Sequence, residues 1–217
     1  MLVRDRMSHP VITVTPQESL DDAWKIMTEE HISRLPVVDK RGKMVGIVSE
    51  KQILRYSPSA ATTLDAYEIQ GVMNRITVEK VMTKDVITIA PDTPIEEAAR
   101  VMADNEISGI PVVAGDSLVG IIAETDLFKT FLEVLGAREP GVRLTVLLNK
   151  TPGGLACLSG TIFQAGGNII SVGSFYGESS DTAEVTIKVD GIDKEKLAEM
   201  VKPCVLKILD VREARSV

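Results

Sequence analysis

Apolar residues in the first two thirds of the chain switch between strand and helix spacing, and the whole succession occurs twice. Val11–Val14 and Val86–Ile89 are short β-rich runs that end at Pro16 and Pro91. Leu20, Ala23, Trp24 and Met27 then follow i, i+3, i+4, i+7, as do Ile95, Ala98, Ala99 and Met102, so each series predicts one helix face. Ser19 and Thr93 stand where N-caps belong, each with an acid three residues on. Pro94, at the first helical position, makes the second the better capping box. Leu35–Val38 with Met44–Val48, and Ile110–Val113 with Leu118–Ile122, predict two pairs of strands joined by polar turns. A second helix closes each unit, with Leu127, Phe131 and Leu135 on its apolar face in the second copy.

The correspondence holds residue by residue. Met7–Pro16 aligns with Met82–Pro91, Ile32–Val38 with Ile107–Val113, and Val45–Glu50 with Val119–Glu124. One residue is lost in the turn Ala114–Ser117 relative to Asp39–Lys43, where loops tolerate deletion. Each unit is therefore β-α-β-β-α. At roughly sixty residues its own core is marginal, so the two copies are expected to pack together. Tyr56 to about Val78, including Ser57-Pro58-Ser59, reads as a linker with a short helix.

The pattern changes after Gly136–Gly141. Val142, Leu144, Val146 and Leu148 alternate with Arg143, Thr145 and Leu147, a half-buried strand. Thr151-Pro152-Gly153-Gly154 turns into a helix with Leu155, Leu158 and Ile162 on one side, ended by Gly166-Gly167. A hairpin over Ile169–Tyr176 and Thr182–Val189, a helix over Asp193–Lys202 and a strand over Val205–Val211 complete a βαββαβ order.

The twice-repeated apolar-Pro-Val-Val strand, followed after a turn by Gly-Ile-Val-Ser or Gly-Ile-Ile-Ala, resembles the CBS domain pair, or Bateman module. The resemblance divides the chain into a first CBS domain (1–60), a linker (61–78) and a second CBS domain (79–137). Pro152-Gly153-Gly154-Leu155 with Gly166-Gly167-Asn168-Ile169 resembles the ACT domain, over residues 142–217. The fold class implied is α/β (α+β): tandem CBS repeats followed by a ferredoxin-like ACT domain. The order CBS-CBS-ACT is similar to that of the bacterial acetoin utilization protein B family, which implies a link to acetoin catabolism.

Candidate chemistry follows the repeat. Asp126 lies in the first turn of a helix. An ionised carboxylate only accepts hydrogen bonds and can take both hydroxyls of a ribose, the role the matching Asp has in nucleotide-binding CBS pairs. Equally, an acid there suits the helix dipole. The family's partner Ser/Thr position is Ala123. The first copy shows the reverse, keeping Ser49 but carrying Gln52, so each copy retains half of the ribose pair. The resemblance places phosphate donors at Ser33 and Arg34 and at Ser108, next to Gly109; a guanidinium offers a planar fork to phosphate, and a surface arginine is the plainer reading. Ile32 and Ile107, with His9 and Lys84, match the wall around the base or are ordinary core and surface. In the ACT-like part, Gly153, Gly154, Asn168 and Ile169 border the place of an amino-acid effector; Asn168 is otherwise a turn residue.

Composition narrows the function classes. A net charge of −7 over 217 residues argues against nucleic acid as a partner. No apolar run reaches membrane-spanning length, and the charged N-terminus does not read as a signal peptide. Cys157 and Cys204, far apart in sequence and set in apolar patterns, read as buried free thiols in a reducing cytoplasm. His9 and His31 carry no catalytic or metal motif, and no nucleophile or Walker motif occurs. The expected protein is a cytoplasmic, non-enzymatic homodimer that senses an adenosine nucleotide such as AMP, ADP, ATP or S-adenosylmethionine, with an amino acid as a second effector. The rival expectation is an assembly scaffold with vestigial clefts.

Overall fold

The computed structural model describes residues 1–57 and 65–214 and divides into two compact units, 1–127 and 128–217. Part of the expected linker, including Pro58-Ser59, lies outside the described residues. No helix among them is long and apolar enough to cross a membrane.

In the first unit each copy contributes a helix and an antiparallel strand pair: α1 (Leu20–Glu29) with β1 (Arg34–Val38) and β2 (Met44–Ser49), then α4 (Ile95–Asp104) with β3 (Gly109–Ala114) and β4 (Ser117–Ala123). The short helix α2 (Glu50–Tyr56) closes the first copy, and α3 (Ala66–Met73) is the helix expected in the linker. Helix α5 (Glu124–Val134) follows β4 directly. The equivalence of the copies reaches the backbone: His31 after α1 has φ +55° and Glu106 after α4 has +54°. Left-handed geometry is uncommon for residues other than glycine, and it accounts for His31 as a helix terminator.

Three expectations need correction here. Val11–Val14 and Val86–Ile89 are not strands; each touches the sheet through one parallel bridge, Val14 to Val37 and Ile89 to Val112. The better cap belongs to α1, where Ser19 Oγ accepts from the Asp22 amide at 3.1 Å, while α4 starts at Ile95 behind Pro94 with no side-chain cap. Phe131 does not face a core, being 55 % exposed, with Phe128 at 66 %.

The two copies are also not self-contained. Val3 packs in the core of the second copy with Ala98, Met102, Ile110, Val112 and Ile122. Val78 and Val81 pack in the core of the first, with Leu20, Leu35, Val37 and Ile53. Backbone hydrogen bonds follow the same exchange: Ser8 bridges Ile121 of β4, and Thr83 bridges Ile47 of β2. The glycines of the repeat permit it. A Cβ on Gly46 would lie 2.9 Å from the Thr83 carbonyl oxygen and 2.7 Å from Met82 Sδ, and a Cβ on Gly120 would lie 2.8 Å from Met7 Cγ. Gly46→Ala should therefore destabilise the chain by about 1–3 kcal/mol through overpacking. Gly71→Ala, in open space on α3, should be neutral or mildly stabilising. Urea unfolding of the two variants beside the parent checks the contrast. Asp21, almost fully buried on α1, accepts from Gln70 of α3 at 3.1 Å and pairs with Lys25 at 2.6 Å.

The second unit has the expected βαββαβ order: β5 (Gly141–Asn149), α6 (Gly154–Gln164), β6 (Asn168–Tyr176), β7 (Thr182–Asp190), α7 (Lys194–Val201) and β8 (Lys207–Ala214). Its sheet is antiparallel in the order β6-β7-β5-β8. Leu144, Val146, Leu158, Ile162, Ile187, Leu197 and Val201 are fully buried between sheet and helices. β5 is buried on both faces rather than half-buried: Thr145 and Leu147 are also covered, and Thr145 shares a 3.0 Å hydrogen bond with Thr186 of β7. The reading of two buried free thiols is overturned. Cys157, exposed in the first half of α6, and Cys204, in the turn after α7, form a disulfide with Cα atoms 5.7 Å apart. Their 47-residue separation says nothing of proximity, because the fold lays α6 and α7 side by side.

Candidate nucleotide clefts

The segment exchange determines how the clefts are built. Helix α2 is capped by Ser49 and by Gln52 in its first turn, and the segment crossing beside it comes from the second copy, Thr83–Ile87. A cavity of about 350 Å³ opens there, lined by Ser33, Arg34, Ser49, Gln52, Ile107 and Ser108 among the expected residues. Thr83, Asp85, Lys51 and Glu106 line it as well and were missed. The signal for Thr83 and Asp85 lay in the alignment of Met82–Pro91 with Met7–Pro16, but only with the knowledge that each segment serves the other copy. Lys84 is exposed and does not line this cavity; Ile32 packs against the first core. His9 lines a separate, more open hollow with Met7, Pro10, Val11, Leu118 and Val119. Ala123 and Asp126 occupy the positions equivalent to Ser49 and Gln52 and line neither of these hollows.

The two ribose positions differ in the chemistry of their side chains. Gln52 Oε1 accepts from the Ser49 amide and Ser49 Oγ, both at 2.9 Å. Gln52 Nε2 donates to the Val81 carbonyl at 3.1 Å and Thr83 Oγ1 at 3.0 Å. An amide has two acceptor positions and two donors, so Gln52 is saturated by the protein. Asp126 Oδ2 accepts from the Ala123 amide at 2.9 Å, the same helix-capping bond made by a carboxylate. A carboxylate offers about four lone-pair positions, twice those of the amide oxygen.

Arg34 heads β1 opposite Ser49, and its counterpart Gly109 heads β3 opposite Ala123. The guanidinium reaches out of its own copy, donating from Nη2 to Ser108 Oγ. It lies over Gly109, where a Cβ would come within 2.8 Å of Cζ. Burial pulls its pKa down, with Glu124 opposing that shift.

In the second unit, Gly153 takes φ +100° to cap α6, whose first residue is Gly154. Asn168 and Ile169 open β6 opposite Asp190 and Val189. None of these four lines either hollow.

Comparison with known proteins agrees with the repeat. The CBS domain family model matches residues 3–59 and 78–133. The CBS domain pair of protein MJ0100, solved with 5′-methylthioadenosine and S-adenosyl-L-methionine, is 34 % identical with a TM-score of 0.51, covering 60 % of this chain and 95 % of that one. A putative acetoin utilization protein from Vibrio cholerae is 30 % identical, TM-score 0.53, covering 64 % and 96 %. CBSX2, solved in complex with AMP, is 27 % identical, TM-score 0.50, covering 61 % and 97 %. The first curated relatives it matches are longer: the L-aspartate semialdehyde sulfurtransferase of Methanocaldococcus jannaschii is 34 % identical over 131 residues, 60 % of this chain but only 23 % of that protein. With its two matched repeats and their reciprocal packing, the chain belongs to the CBS domain family.

Proposed function

We propose that the chain is a regulatory rather than catalytic protein whose CBS pair binds an adenosine nucleotide, with the ribose held by Asp126. The observation that carries this reading is that the second copy places a carboxylate, Asp126, an acceptor-only group suited to two hydroxyls, where the first copy has the amide Gln52. Similar CBS pairs solved with methylthioadenosine, S-adenosylmethionine and AMP support the ligand class. The βαββαβ unit is proposed as an ACT domain that takes an amino acid near Gly153, Gly154, Asn168 and Ile169. The likeness to the Vibrio cholerae protein supports a place in acetoin catabolism. Thermal melting against AMP, ADP, ATP, S-adenosylmethionine and amino acids tests the reading. A ligand at a hundred times its dissociation constant adds about 2.7 kcal/mol; a flat melting temperature across the panel at millimolar ligand refutes the sensor.

A second reading, an assembly scaffold, is favoured by the apolar surface of Phe128, Phe131 and Val134 on α5. On that reading the chain self-associates without any small-molecule response, which the same melting panel distinguishes.

A further inference from the structure

The Cys157–Cys204 disulfide joins two sulfurs in unlike surroundings. Cys157 is exposed in the first half of α6, where its amide donates to the Gly153 carbonyl at 2.8 Å. Cys204 is half-buried in the turn after α7, with Thr161 Oγ1 3.4 Å from its Sγ. An entering thiol therefore meets Cys157 first, and the Thr161 hydroxyl stands ready to donate to a thiolate left on Cys204. α6 carries no charged side chain, so no acid on that helix opposes a thiolate at Cys157, and the helix N-terminus favours one.

The fold also holds the two sulfurs near each other without the bond between them. Leu158 and Ile162 of α6 are buried in one core with Leu197 and Val201 of α7. Lys196 of α7 donates to the Ala165 carbonyl, at the end of α6, at 3.2 Å. Opening the bridge thus releases the first half of α6 and the Lys202–Cys204 turn, while the packing between the two helices stays. The chain has two cysteines in all, so a thiol adduct on one has only the other to resolve it.

We propose that Cys157–Cys204 is a reversible thiol–disulfide exchange site, with a dithiol reductant as its partner, Cys157 as the sulfur that joins the partner and Cys204 as the resolving sulfur. In reduction, a thiolate of the dithiol attacks Cys157 Sγ. The Cys157–Cys204 bond breaks, its electron pair stays on Cys204, and Cys204 takes up a proton. The second thiol of the partner then attacks the mixed disulfide, frees Cys157 and leaves joined to its own first sulfur as a disulfide. With Cys157 protonated in turn, two electrons and two protons have passed from the dithiol to the bridge. Oxidation by a disulfide such as oxidised glutathione runs through the same kind of adduct: the Cys157 thiolate attacks, one glutathione thiolate leaves, and Cys204 displaces the other. The site does not depend on the nucleotide reading, and it gives the second unit a redox input of its own.

Exchange kinetics on the folded full chain test it. Dithiothreitol should open the bridge in native buffer at a rate within about tenfold of that in unfolding urea, because the attacked sulfur is accessible in the fold. A bridge that opens only where the unit unfolds overturns the proposal. With oxidised glutathione, mass spectrometry of reduced Cys204→Ser should find an adduct on Cys157, and the adduct on Cys204 in reduced Cys157→Ser should form roughly tenfold more slowly or slower still. Equal rates, or a faster adduct on Cys204, overturn it. The reduced parent gives the same answer without either variant: quenched in acid during reoxidation, it should carry its transient glutathione on Cys157, and a transient adduct on Cys204 contradicts the assignment.

Discussion

Asp126→Ala is expected to weaken binding of an adenosine nucleotide by roughly ten- to over a hundredfold, and Gln52→Ala to change it less than threefold. A hydrogen bond to a charged group contributes about 1.5–3 kcal/mol, and about 1.4 kcal/mol is tenfold in affinity. The small effect at Gln52 follows from its saturation by Ser49, Val81 and Thr83. Its loss should appear instead in stability: Gln52→Ala removes the tie between α2 and the segment crossing from the second copy, and deprives the Val81 carbonyl of a donor. Titration calorimetry and thermal melting on both variants separate the two roles. Binding lost in Gln52→Ala and kept in Asp126→Ala would reverse the assignment.

Reduction of Cys157–Cys204 should cost the second unit about 2–4 kcal/mol. The bond closes a loop of 47 residues, and cross-linking chains of that length chiefly restricts the unfolded state. It ties the first half of α6 to the turn after α7, where the fold otherwise relies on the Leu158, Ile162, Leu197 and Val201 contacts and on Thr161 Oγ1 near Cys204 Sγ at 3.4 Å. For a unit of this size the melting temperature should fall by on the order of 10 °C with reductant. Cys157→Ser with Cys204→Ser should melt at the reduced temperature and be insensitive to reductant. An unchanged melting temperature on full reduction, checked by thiol titration, counts against a stabilising bridge.

The features legible in the sequence are those governed by local spacing. Leu20, Ala23 and Met27 repeat at helical intervals because one face of α1 meets the core, and all three are buried. Pro36 and Pro111 sit within β1 and β3 of matching strand pairs, so the repeat could be aligned without knowing the fold. What escaped was pairing at long range. The alignment shows that Met7 and Met82 are equivalent; it does not show that Met7 lies against Gly120 and Met82 against Gly46. That exchange moved Thr83 and Asp85 into the Gln52 cleft and Val3 into the second core. Phe131 misled because helical spacing marks an apolar face without saying what covers it. The exposure of Cys157 is not legible in the sequence, because apolar neighbours along the chain do not by themselves bury a residue. The difference between Arg34 and Gly109 was visible as a mismatch in the repeat, and its meaning, one side chain filling the place of two, needed the geometry.

The structure of the full chain with AMP bound at saturating concentration tests the central claim most directly. The account predicts both ribose hydroxyls within hydrogen-bond distance of the Asp126 carboxylate, the phosphate on the Arg34 guanidinium, and Gln52 still bonded to Ser49, Val81 and Thr83. A ribose held by Gln52 with Asp126 untouched, or AMP bound nowhere in the CBS pair, would contradict it.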